Sequence, residues 1–135
     1  MSLGSDIILW LKGVFPDMAD GRIDYAPVDR RSRGSERHTI GVSVDPGIPR
    51  IAFGGGKMET AYTASIFVDA KLQADAEDVA RTISNGLHAF SGKLLETADA
   101  VDILSALLVS SSAVPDEEES ITSRRLDFDI LTIEP

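Results

Sequence analysis

The sequence predicts a single α+β domain: a mainly antiparallel sheet of about four strands, with two helices packed on one face. Three observations carry this. Two segments, one near the start and one mid-chain, place apolar residues at helical spacing. Several others alternate apolar and polar residues, as half-buried strands do. The length of 135 residues suits one domain (residues 1–135), with about two-thirds of its unfolded surface buried on folding.

The first helix is expected from about Asp6 to Phe15. Ser5 or Asp6 can cap it, Ile7, Ile8, Leu11, Val14 and Phe15 form its stripe, and Pro16 stops it. Trp10 and Lys12 fall off that stripe. A short strand is expected over Arg22–Tyr25, limited to an edge by Pro27. The stretch from about 29 to 38 holds Arg30, Arg31, Arg33 and Arg37 and nothing apolar, so it is expected to be an exposed, mobile loop.

Thr39–Val44 alternates, with Ile40, Val42 and Val44 on one face, and Asp45-Pro46-Gly47 is a turn signal. A further short strand is expected over Arg50–Phe53. Gly54-Gly55-Gly56 breaks the pattern before a long strand over Thr60–Ala70. In that strand Tyr62, Ala64, Ile66 and Val68 share one face.

The second helix is expected to be capped by Asp75, with Val79, Ile83, Leu87 and Phe90 as its stripe and Gly92-Lys93 as its end. Val101–Ser110 is an apolar run. Asp116-Glu117-Glu118-Glu119 makes an acidic turn before a last strand over Ile121–Ile133. There Leu126, Phe128 and Ile130 face in, while Arg125, Asp127 and Asp129 face out. Leu131 and Ile133 lie opposite Ile130, so both faces are apolar near the end of that strand. This points to a cover, such as a neighbouring subunit.

Composition narrows the function. The net charge is −9, a poor match for nucleic-acid coating or an anionic membrane surface. No apolar run reaches the ~18 residues of a spanning helix. There is no Cys, which removes thiol nucleophiles and thiolate metal sites.

The chemical motifs are weak. His38 and His88 lack a second His or carboxylate at metal-ligand spacing. Gly54-Gly55-Gly56-Lys57 fails as a phosphate loop: Ile51 stands where a Gly is needed, and Met58 where Ser or Thr must reach magnesium. The acidic run, with Asp99 and Asp102, lacks the alternation and Gly of a calcium loop. Ser110-Ser111-Ser112 has no base nearby in sequence. No catalytic residue, metal ligand or cofactor site is therefore expected, and an enzyme would need a site formed between subunits. The arginine loop can stay solvated, touch phosphate, or meet an acidic partner surface, including Asp116, Glu117, Glu118 and Glu119 of another copy, and the net charge of −9 favours the protein partner over nucleic acid. A basic and an acidic segment on one chain suit a head-to-tail contact that closes into a ring.

Three features together resemble a family. They are the opening helix Ile7-Ile8-Leu9-Trp10-Leu11 ended by Pro16, the charged loop before Thr60–Phe90, and the closing strand Arg124-Arg125-Leu126-Asp127-Phe128-Asp129-Ile130. The chain is similar, over nearly its whole length, to the tail-terminator and minor tail proteins of tailed bacteriophages and gene transfer agents. That resemblance implies a non-catalytic virion protein of the tail, assembled in the host cytoplasm. The resemblance also implies a ring, usually a hexamer, that caps the tail tube and joins it to the head connector. Its partners would be itself, the tail tube protein and the head connector protein, with DNA as passing cargo. A head–tail connector or neck protein and a small non-catalytic ligand-binding module are the alternatives.

Overall fold

The computed structural model describes residues 2–18, 22–26, 38–45, 47–51, 58–70, 72–114 and 122–134. Helix α1 spans Leu3–Val14. Ser2 caps it, three or four positions earlier than the Ser5 or Asp6 expected from spacing. The Ser5 amide donates to Ser2 Oγ at 3.2 Å, and the Ser2 amide donates to Ser5 Oγ at 3.2 Å. Two otherwise orphaned donors are thereby satisfied reciprocally. Leu3, Ile7, Ile8 and Leu11 turn inward. Asp6, freed from capping, is 1% exposed, and its Oδ2 accepts the Val101 amide at 2.7 Å. The helix ends as Pro16 requires, in a 3-10 turn over Pro16–Met18.

The strands are β1 (Ile23–Tyr25), β2 (Thr39–Val44), β3 (Ile48–Ile51), β4 (Met58–Ala70), β5 (Phe90–Lys93), β6 (Asp102–Val114) and β7 (Thr122–Glu134). They form one sheet in the order β1-β2-β4-β7-β6-β5, with β3 also paired to β4. Among the described residues the sheet thus has seven strand segments rather than about four. The four expected main strands are β2, β4, β6 and β7, and short strands extend them.

Residues of β2 and β3 pair along the same side of β4: Val44 stands opposite Ala64, and Ile48 opposite Ala61. Four steps on one strand therefore match three on the other. The extra residue lies between Val44 and Ile48. β3 includes Pro49 and starts two residues before the expected Arg50. Every pairing is antiparallel except β1 with β2.

Helix α2 spans Gln73–Leu87 with Leu72 at the cap position and no side-chain cap. Asp75 lies inside the first turn instead of capping it, where its charge still suits the helix dipole. The helix stops before Gly92. His88 is the terminal cap, and Ala89 adopts a left-handed φ of 63°. That turn throws Phe90 into β5 and takes it off the helical stripe.

α1 lies over β1 and β2, and α2 over β4, β7 and β6. Both cover the face made by Ile40 and Val42, Ala64, Ile66 and Val68, and Leu126, Phe128 and Ile130, all buried. Each large side chain there contributes roughly 2 kcal/mol. Gly86 of α2 sits under the Trp10 ring of α1, where an added Cβ would lie 2.7 Å from Cζ2. The glycine costs helix propensity, and the close approach explains its presence.

Candidate functional site

Among the described residues, no helix packs on the second face of the sheet. Strand alternation sends Glu59, Ala61, Thr63, Ser65, Phe67 and Asp69 of β4 to this face, with Ser123, Arg125, Asp127, Asp129, Leu131 and Ile133 of β7 beside them. On these two central strands, four carboxylates meet one arginine.

Asp127 is the hub. It accepts from Ser65 Oγ of β4 at 2.6 Å, Ser110 Oγ of β6 at 2.8 Å and Arg125 Nε at 3.0 Å. Partial burial pushes the Asp127 carboxyl up, but those three hydrogen bonds and the Arg125 charge outweigh it and hold it below its ordinary value. The Arg125 guanidinium lies 5.4 Å from the Phe67 ring centroid and donates to Ser65 Oγ at 3.4 Å. Asp69 accepts from Thr39 Oγ1 at 3.5 Å and from Ser123. A polar belt thus crosses β2, β4, β7 and β6. Its hydrogen bonds link neighbouring strands across the open face.

Past the belt the same face turns apolar. Leu107 is 49% exposed, and Leu131 and Ile133 are half-buried. A shallow depression of about 310 Å³ lies among Ala61, Thr63, Ser105, Leu107, Asp129 and Leu131. Leu104 and Val109 are the extra residues of two bulges on β6, and both are exposed. Exposed apolar patches of this kind on a folded protein are typical of interaction sites.

The arginines at 30, 31, 33 and 37, the acidic residues 116–119, and Gly54 to Lys57 lie outside the described residues. The two histidines have local roles. His88 Nδ1 accepts the Leu108 amide at 3.0 Å, which ties the end of α2 to β6. His38 stands 3.9 Å from Asp75, linking the start of β2 to α2. Ser110 serves Asp127, and Ser111 accepts from Arg124 at 3.0 Å. Among the described residues no three His, Asp or Glu side chains are grouped to hold a metal. Among the same residues no helix is long and apolar enough to cross a membrane.

The fold has a counterpart in a virion. The chain superposes on a chain of the "virion of native gene transfer agent (GTA) particle" with a TM-score of 0.63 and 17% identity. The likeness covers 98% of this chain and 96% of that one. It is therefore a likeness of whole architecture, and at this identity it speaks for fold. No protein-family model and no curated protein matches the chain.

Proposed function

We propose that the protein is a structural component of a gene-transfer-agent or phage virion, and within it a tail terminator. It assembles as a ring, with six copies as the expected number, at the end of the tail tube and meets the head connector on its other side. The observation that carries this reading is the nearly end-to-end fold likeness to a gene-transfer-agent virion chain. The closing segment Arg124–Ile130, one of the three features that carry the family resemblance, lies in β7, the strand that holds Asp127 and Arg125 of the polar belt.

The electrostatics agree with this role. A net charge of −9 and a sheet face bearing Glu59, Asp69, Asp127 and Asp129 repel phosphates, so DNA slides past without sticking. The half-buried Leu131 and Ile133 give a neighbouring subunit or the tube an apolar surface to cover.

Light scattering coupled to size exclusion tests the reading across protein and salt concentrations. A discrete ring of about six subunits, or a monomer that becomes one on concentration, is the expected result. A monomer at every concentration, unmoved by salt, overturns it.

A further inference from the structure

The rungs of the sheet run from β1 to β6 at one level. Tyr25 stands opposite Val42, Val42 opposite Ile66, Ile66 opposite Leu126, and Leu126 opposite Ser111. One position along, the rung is Asp24, Gly41, Phe67, Arg125 and Ser112. Among the described residues no strand pairs beyond either end of these rungs. No strand among the described residues pairs with the outer side of β1. On the other side β5 covers β6 only as far as Ala106, and the Leu108 amide is taken by His88. From Val109 to Val114 the outer edge of β6 has no paired strand among the described residues.

An open edge is ordinarily blunted by Lys, Pro or charge. The stretch Val109-Ser110-Ser111-Ser112-Ala113-Val114 contains none of these. In a chain of net charge −9, it is a surface where a second copy can approach without repulsion. Exposed apolar groups flank both ends: Leu107 and Val109 beside β6, and Tyr25, 50% exposed, on β1.

The strand directions also fit. β1 is parallel to β2, β2 antiparallel to β4, β4 to β7, and β7 to β6. β1 therefore runs antiparallel to β6. If neighbours share one orientation, the β6 of one copy meets the β1 of the next as an antiparallel pair.

We infer that a second copy of this chain covers the β6 edge, with Val109–Val114 of one subunit pairing with Ile23–Tyr25 of the next. This rests on the ring reading above and names its subunit contact. The contact is heterologous, so it repeats until it closes. The sheet then continues from subunit to subunit, and closure removes its edges.

The absence of Cys makes a clean test possible. Asp24→Cys and Ser112→Cys place one thiol at each end of a single rung. Within one subunit these lie about 19 Å apart, four strand spacings, beyond the reach of a short bis-maleimide. The doubly substituted protein is expected to give a covalent ladder up to the ring size. A mixture of the two single variants is expected to give dimers, and neither single variant alone should cross-link. If light scattering shows a ring and the double variant forms no ladder, the strand contact is wrong and the ring stands. Self-linkage of Ser112→Cys alone also overturns the contact, because it reports a two-fold pairing of β6 with itself. A doubly substituted protein that stays monomeric, like the unmodified chain, overturns the ring and the contact together.

Discussion

Asp6 and Val101 are 95 positions apart, yet the carboxylate of one accepts the backbone amide of the other at 2.7 Å. The bond ties the first turn of α1 to the segment that leads into β6. Asp6 is 1% exposed, so on the carboxylate side the bond is made out of reach of solvent. Asp6→Ala is expected to cost about 1–3 kcal/mol, the usual penalty for an orphaned buried amide. Urea unfolding followed by circular dichroism measures it. A change within error of zero would show that the segment does not depend on this bond.

Gly86 and Trp10 make a second coupled pair. An isolated Gly→Ala change inside a helix gains up to about 1 kcal/mol. Here the new methyl meets the indole at 2.7 Å, and overpacking costs about 1–3 kcal/mol. Gly86→Ala is expected to lose about 1 kcal/mol net. With Trp10→Ala already in place, the same change should become stabilising. A double-mutant cycle reads the reversal of sign directly.

Ala89 carries a left-handed backbone at φ 63°, a conformation that favours glycine. Ala89→Gly is expected to stabilise by about 0.5–1 kcal/mol, raising Tm by about 2–4 °C. Calorimetry would detect it. A lower Tm would mean that the added freedom of the unfolded chain outweighs the relieved strain.

Asp127 titrates below the ordinary carboxylate range, with burial opposing the shift and Ser65, Ser110 and Arg125 producing it. A lowered folded pKa contributes stability above the unfolded value near 3.9, and that contribution is lost as pH falls through the folded value. The wild type should therefore exceed Asp127→Asn by a constant margin at neutral pH. The margin should shrink below about pH 4. Denaturation at a series of pH values checks it, and a margin that widens in acid contradicts the assigned network.

Much of this architecture was legible because it rests on period. Ile7, Ile8 and Leu11 marked α1, and the alternation of β4 and β7 placed Ile66, Val68, Leu126 and Phe128 on the buried face. β5 was hidden because Phe90 continues the spacing of Val79, Ile83 and Leu87. The residue that breaks the helix is an alanine, which gives no warning of a positive φ. The exposure of Leu104 and Val109 was equally hidden, since bulges reset the alternation of β6. For the open face, the outward Arg125, Asp127 and Asp129 were readable. That Asp127 meets Ser65 and Ser110 was not, because cross-strand register is decided by pairing partners far away in sequence.

The position of β7 has a consequence for biosynthesis. It lies between β4 and β6, bonded along its length to both, yet it follows both in the chain. While the ribosome is still making residues before 122, β4 and β6 have no bridge between them, and their inner edges stay open. The nascent protein therefore depends on β7, made after both of its neighbours, to join β4 to β6, as expected for a fold rich in long-range contacts. Premature pairing between unfinished chains is the hazard of that order, and prompt arrival of β7 is the remedy.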